Sequence, residues 1–458
     1  MTETLLILAL VFGLYAAWNI GANDVANAMG TSVGSKALTI GQAVLLAAIF
    51  EFLGAVFFGS YVTETLQKGI IELPPTDSPY VMVLGMLSSL FGTGLWLHIA
   101  SVWGLPVSTT HSIVGAIVGF GITAGGLQAI SWGKVGSIGL SWVISPVLGA
   151  LVAFLVFSSL RKAIFFKAAP LAEAKKLMPY LSSFVIFILC FSLCTSVGRI
   201  SIATASWVSI ALALITYVGV QLLERSLIPK ETVHEKNHTA DMKRLFQLEK
   251  LKKRTDVTSE LVTIDNEIEQ IAKRLHPDLH FQFESLQFRR IEKMFAILQI
   301  LTACMMAFAH GANDVANAIG PLQACIRGLN LDATYSYLTH EKSMLIYGGL
   351  GIILGLSTYG WKVIETIGKK ITELTPSRGF SAEFAASITI LFASRLGFPI
   401  STTHTLVGAV LGVGLAGGLA TLNLRTIRDI VFSWIITIPA GALFSIVTFE
   451  ILSRLLLT

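Results

Sequence analysis

The sequence predicts an all-α polytopic membrane protein of about 12 transmembrane segments arranged as two inverted repeats. Three observations carry this. Of the 458 residues, 53% are hydrophobic and only 13% charged, about half the charged share of a soluble domain; mean hydropathy is +0.72. Apolar runs of about 20 residues, the length that crosses a bilayer, recur from end to end. Two motifs rich in polar residues, set inside those runs, are each written twice.

The runs lie near residues 4–28, 38–60, 80–100, 106–129, 135–159, 180–198, 202–223, 294–320, 343–360, 381–397, 399–420 and 428–456. The first has neither the basic stretch nor the small-residue cleavage site of a removed signal, so it reads as a retained helix. Gly104-Leu105-Pro106 splits the third run from the fourth, and Gly397-Phe398-Pro399 splits the tenth from the eleventh. Each Pro-split pair reads either as two full spans or as a re-entrant hairpin whose tip meets its counterpart near the midplane.

Gly21–Gly30 (GANDVANAMG) returns as Gly311–Gly320 (GANDVANAIG), identical at nine of ten positions. Gly104–Gly119 (GLPVSTTHSIVGAIVG) returns as Gly397–Gly412 (GFPISTTHTLVGAVLG), at an offset of 293 residues against 290 for the first motif. The pairs Ser141–Trp142 and Ser433–Trp434 continue that register. Segments 1–5 and 8–12 are thus two copies of one unit, and seven crossings separate their starts. Seven is odd, so the second copy enters from the opposite side, as in many secondary transporters. Counting the Pro-split pairs as hairpins removes an even number of crossings and keeps that parity. The expected units are residues 1–160 (first repeat), 161–224 (linking helix pair), 225–293 (a cytoplasmic helical loop) and 294–458 (second repeat).

Charge sets the orientation. With loop 225–293 in the cytoplasm, 26 of the 33 Lys and Arg fall inside. Only Lys68, Lys134, Arg199, Arg327, Lys342 and Arg454 fall outside, with Arg395 near the membrane. The positive-inside rule then puts both termini outside the cytoplasm. In the loop, Leu261, Ile264, Ile268, Ile271 and Leu275 recur at spacings of three and four, which predicts an amphipathic helix and a helical hairpin. Because the basic residues sit in loops, the net charge of +5 is no nucleic-acid signal, and no nucleic-acid partner is expected. Cys190, Cys194, Cys304 and Cys325 lack metal-ligand spacing. No metalloprotease or nucleophile-elbow motif occurs, so an enzyme is not expected.

Asp24 and Asp314 stand where hydrocarbon is expected. A charge there costs roughly 2.5–3.5 kcal/mol on the insertion scale, and intramembrane charges mark functional sites. Asn23 and Asn27, and their copies Asn313 and Asn317, share one helical face with these aspartates. Such oxygens suit a hard cation such as sodium. Gly21, Ala22, Ala26 and Ala28 are small enough to admit a neighbouring backbone. Pro106 and Pro399 suit a first helical turn, with Ser and Thr oxygens as caps. Two such helix starts facing each other would aim free N–H groups and positive helix ends at one centre, an anion site. Ser108, Thr109, Thr110, Ser401, Thr402 and Thr403 add hydroxyls suited to a tetrahedral oxyanion. Cations at the aspartates and an anion at the helix starts would each favour the other, which is thermodynamic coupling. Protonation of the aspartates is the alternative way to neutralise them.

Two further carboxylates, Glu51 and Glu383, have no counterpart in the repeat: Glu51 falls opposite Ile352, and Glu383 opposite Leu90. His310 falls opposite Ile20, which argues against a role in a symmetric site. His111 and His404 read as packing or supporting groups. Arg395, whose counterpart is Val102, reads either as a partner for the anion or as a side chain reaching to the interface.

GANDVANA and Pro-x-Ser-Thr-Thr-His, each present twice, resemble the signature of the inorganic phosphate transporter (PiT) family, and the resemblance covers nearly the whole chain except Arg225–Lys293. It implies cation-coupled phosphate uptake by a twelve-helix inverted-repeat fold, often as a homodimer. The sequence looks like the sodium-coupled branch, which has acidic residues at the places of Glu51 and Glu383. With the reading of the residues above, this gives as the expectation phosphate at the two Ser-Thr-Thr segments, sodium at Asp24 and Asp314, and cation binding or coupling at Asn23, Asn27, Asn313, Asn317, Glu51 and Glu383 as well. The alternatives are a proton-coupled phosphate or metal-phosphate symporter, or a sulfate permease of the same fold. No cofactor is expected beyond the co-transported sodium or proton. The expected setting is the bilayer of a plasma membrane, on balance a bacterial inner membrane.

Overall fold

The computed structural model describes the chain except residues 68, 73–79, 197–199, 228–232, 253–257, 275–276, 332–335, 365–373, 419–423 and 457–458. For some further residues, most of them between 224 and 285, the backbone alone is described. Lys68, Arg199 and Leu275, on which the sequence reading drew, lie outside the described residues. Apart from one isolated antiparallel bridge between Ile71 and Ile130, the described structure is helical.

The first half comprises α1 (Thr2–Gly34), α2 (Ile40–Phe58), α3 (Ser60–Gln67), α4 (Tyr80–Val102), α5 (Thr109–Gly125) and α6 (Trp132–Leu160). An outer pair follows, α7 (Pro170–Ser196) and α8 (Ile202–Leu227), then α9 (Val233–Lys252) and α10 (Thr258–Arg274). The second half comprises α11 (Pro277–Gly328), α12 (Glu341–Tyr359), α13 (Pro376–Arg395), α14 (Thr402–Gly417) and α15 (Leu424–Leu456). Among the described residues eight helices are long and apolar enough to cross a membrane, and α5 and α14 are shorter apolar helices. α12 and α13 form where segments were expected but are not among the eight. Pro179 lies inside α7, which starts ten residues before the expected segment.

α11 is the central helix and α8 the outermost: 78% of the apolar window of α11 is buried, against 6% for α8. Trp207, Leu214 and Ile215 of α8 are exposed, as an apolar helix facing hydrocarbon would leave them. The halves interlock. α5 lies against α15 of the other half, and α14 against α6. Glycines of the repeated motif permit these crossings: Gly115 lies against the backbone of Ile438, and Gly408 against that of Pro146.

No break separates loop from membrane helix at residue 294; α11 runs unbroken for 52 residues from Pro277, because nothing between Asp278 and Gly320 interrupts it. α9 and α10 pack through Leu248, Ile264 and Ile271, with Leu245 and Ile268 beside them, the stripe the spacing predicts. Arg244 grips Glu267 with two donors, Nε at 2.7 Å and Nη2 at 3.2 Å, but the pair is exposed and contributes little.

The Pro-split segments show why glycine and proline stand where they do. α4 and α13 end in matched Schellman turns. Leu105 N–H donates to Ala100 O and Gly104 N–H to Ser101 O; Phe398 N–H donates to Ala393 O and Gly397 N–H to Ser394 O. Gly104 and Gly397 take φ of 66° and 73°, the left-handed region that favours glycine. Pro106 and Pro399 are not in a first helical turn, a correction to the sequence reading. They lie in the extended stretch between turn and cap, and the caps are Ser108 and Ser401, whose Oγ accept from His111 N and His404 N at 3.2 Å. Proline disfavours a helical conformation at the residue before it, which keeps Leu105 and Phe398 out of the helix, and the helices restart at the serine caps.

Candidate functional site

The two helix starts meet. Thr110 Oγ1 donates to Ile400 O at 3.1 Å, and Thr403 Oγ1 donates to Val107 O at 3.1 Å. Each start is therefore held by the extended segment of the other. Both helices begin at this junction; of their first-turn N–H groups, those of His111 and His404 go to the caps, and the ones before them have no intrahelical carbonyl partner.

The aspartate motifs reach the junction from α1 and α11. Asn27 Nδ2 donates to Asp24 Oδ1 and to Thr403 Oγ1, both at 2.8 Å. In the other half Asn317 Nδ2 donates to Asp314 Oδ1 at 3.1 Å, to Thr109 Oγ1 at 3.1 Å and to Thr110 Oγ1 at 3.4 Å. Thr402 Oγ1 donates to Asp314 Oδ2 at 2.7 Å. Each asparagine thus ties its own aspartate to the helix start of the opposite half. The eight side chains Asp24, Asn27, Thr109, Thr110, Asp314, Asn317, Thr402 and Thr403 form one buried polar centre.

Asn23 and Asn313 reach the bends before the helix starts. Asn23 Nδ2 donates to Ser101 Oγ and Leu105 O at 3.0 Å, and its Oδ1 accepts from Val107 N at 3.2 Å. Asn313 Nδ2 donates to Ser394 Oγ at 3.0 Å and Phe398 O at 3.5 Å. Both amides brace the bend leading into a helix start, and Ser101 and Ser394 are matched partners that the sequence reading missed. Ser108 and Ser401 serve as caps, as described above.

Glu383 lies in a cage of its own. It accepts from Thr31 and Ser32 of α1, from Thr302 Oγ1 at 2.7 Å and from Gln299 Nε2 at 3.3 Å. Glu51 joins the centre through His310, a residue that sequence symmetry had argued against. His310 Nδ1 is 3.2 Å from Glu51 Oε1, and Nε2 is 2.9 Å from Asp314 Oδ2 and 3.6 Å from Asp24 Oδ2. The crossing of α2 over α11 places Glu51 there. A Cβ on Gly311 would lie 2.0 Å from Glu51 O, and one on Gly21 would lie 2.0 Å from Ile352 O. The two crossings are equivalent, so His310 and Glu51 in one half replace Ile20 and Ile352 in the other. The signal was available: two residues, each without a counterpart, are partners in the same contact.

His111 and His404 pack. Their rings are 4.4 Å apart, with Trp142 3.9 Å from His111 and Trp434 3.6 Å from His404. Arg395 is outside the centre. It lies over Phe58 and Tyr61 and lines a cavity of about 480 Å³ with Lys134, Glu64 and Thr65.

Residues 20–445 match the family described as the phosphate transporter family. A permease of Chlamydia trachomatis that is named for phosphate is 44% identical over 98% of this chain and 99% of its own. The chloroplastic inorganic phosphate transporter 2-1 of Arabidopsis thaliana is 43% identical over 99% of this chain and 73% of its own. A solved structure described as the sodium-dependent phosphate transporter shares a TM-score of 0.79 and 37% identity, covering 99% of this chain and 100% of that one. The chain, an integral membrane transporter and not an enzyme, belongs to the phosphate transporter family.

Proposed function

We propose that the chain is a sodium-coupled symporter that imports inorganic phosphate. Phosphate lies between the two helix starts, held by first-turn N–H groups and by Thr109, Thr110, Thr402 and Thr403. Sodium lies at Asp24 and Asp314, whose charges offset the anion. One observation carries this reading: Asn27 and Asn317 connect each aspartate to the opposite half's threonines, so the cation ligands and the anion donors share one hydrogen-bonded unit. Whatever shifts one shifts the other, as coupling requires. The resemblance to the sodium-dependent transporter structure supports sodium over protons.

The matched bends, caps and crossings support twelve segments in two inverted repeats, with the Pro-split pairs as hairpins meeting at the centre. Both termini are then extracytoplasmic, α9 and α10 form a cytoplasmic hairpin, and the protein sits in a plasma membrane. A pair of such chains as a homodimer has the exposed α7–α8 pair available as a contact. Alternation of access follows if the interlocked half-helices move against α1 and α11.

Labelled phosphate uptake into proteoliposomes checks the reading. An inward sodium gradient should drive accumulation above equilibrium, and an inside-negative potential should increase it if two or more sodium ions accompany a monovalent phosphate, by about 2.3 kcal/mol per net charge per 100 mV. Equal uptake from choline medium at neutral pH would remove sodium from the account.

A further inference from the structure

His310 is the member of the centre that the proposed function assigns neither to the anion nor to sodium. Its ring stands among three carboxylates from three helices, Asp24 on α1, Glu51 on α2 and Asp314 on its own α11, and all four side chains are fully buried. One ligand atom each from Asp24, His310 and Asp314 lies within 4.8 Å of the others. Asp24 Oδ2, both ring nitrogens of His310 and both Glu51 oxygens are buried without a well-directed hydrogen bond, although His310 faces Glu51 and Asp314 at ion-pair distance. Buried polar atoms are normally satisfied, and a cation between Asp24, His310 and Asp314 would satisfy the inner ones together.

The donor set indicates which cation. Sodium takes oxygen ligands; an imidazole nitrogen beside two carboxylates suits a first-row transition ion. Ligand distances of about 2.0–2.2 Å place neighbouring donors of a tetrahedral site about 3.3–3.6 Å apart. The two distances from His310 Nε2, 2.9 and 3.6 Å, bracket that. Glu51 stands on Nδ1, where an outer carboxylate fixes the tautomer that turns the Nε2 lone pair toward a metal. Three protein ligands leave a fourth position for water or an anion.

We propose that Asp24, His310 and Asp314 form a site for one divalent ion of the zinc and cobalt class, oriented by Glu51, and that this ion competes with sodium for the two aspartates. The site is single although the aspartate motif is double, because Ile20 and Ile352 hold the equivalent places in the other half. This inference rests on reading Asp24 and Asp314 as cation ligands.

The test is titration of Co²⁺ into the purified full-length protein, freed of any polyhistidine tag and followed by visible absorption. We expect one Co²⁺ per chain, bands of a four- or five-coordinate nitrogen–oxygen site, and competitive displacement by sodium. His310→Gln should weaken Co²⁺ at least tenfold and Glu51→Gln roughly 10–100-fold, while His111→Gln should not change it. Absence of Co²⁺ binding, two ions per chain, or loss in His111→Gln in place of His310→Gln would overturn the site. Should His310→Gln elute as aggregate, sodium competition in the unaltered protein decides, and Co²⁺ that sodium does not displace overturns the proposal. Sodium-driven phosphate uptake measured in parallel separates the readings: intact uptake without Co²⁺ binding sinks only the divalent site.

Discussion

Asp24→Asn and Asp314→Asn will each abolish sodium-driven phosphate uptake while leaving different amounts of folded protein. Asparagine has nearly the shape of aspartate but lacks the charge that holds the cation. Loss of even about 2 kcal/mol of cation affinity is about thirtyfold, and removing one member of a coupled centre affects both ligands. The structural consequences differ between the two sites. Asp24 accepts hydrogen bonds at Oδ1 from Asn27, and its Oδ2 has none, so an amide fits with Nδ2 in the Oδ2 position. Asp314 accepts at both oxygens, from Asn317 and from Thr402; with Oδ1 kept for Asn317, the amide Nδ2 faces Thr402, whose hydroxyl must turn to accept and leaves its own proton without that acceptor. A mismatch of that kind costs about 1–3 kcal/mol. Uptake assays, with fluorescence-detected elution for folding, should show both variants inactive and Asp314→Asn the less stable. Near-normal uptake by either variant would remove that aspartate from the site.

Gly311→Ala should be the most disruptive small substitution in the centre. Its Cβ would stand 2.0 Å from Glu51 O and 2.8 Å from Glu51 Cα. Both are backbone atoms, so no side chain can turn away, and α2 and α11 must separate. Overpacking of this kind costs typically 1–3 kcal/mol, and the separation also draws Glu51 away from His310. Gly21→Ala meets Ile352 O at the same 2.0 Å and should destabilise similarly without disturbing the Glu51–His310 contact. Gly41→Ala, where a Cβ meets nothing within 4 Å, is the control and should be neutral or mildly stabilising. Thermal melting of the purified variants ranks them; Gly311→Ala melting with Gly41→Ala would contradict the close crossing.

Much of this was legible in the chain. Apolar runs of spanning length, broken by Gly-x-Pro, become helices broken at those places, because Gly104 and Gly397 terminate one helix and Ser108 and Ser401 cap the next. Small residues around the aspartates did mark close backbone approach. Pro106 and Pro399 were misplaced by three residues because proline tolerates both a first turn and the extended approach to a cap, and composition does not choose between them. The central hydrogen bonds were illegible for a different reason. Asn27 and Thr403 are 376 residues apart, and Asn317 and Thr109 are 208 apart, and only the interlocking of the halves brings them together. Asn23 and Asn317 look alike in sequence, yet one braces a bend and the other reaches across the junction. Symmetry misled at His310, because comparing repeats finds what is shared, and this contact exists where the repeats differ.

Linkage of the cation ligands to the anion donors shows as a change of phosphate affinity with sodium. The direct measurement is the phosphate Kd of the purified protein in sodium and in choline at equal ionic strength. Phosphate should bind at least tenfold tighter in sodium, about 1.4 kcal/mol of coupling, with that difference lost in Asp24→Asn. An equal Kd in both salts for the unaltered protein would contradict that linkage.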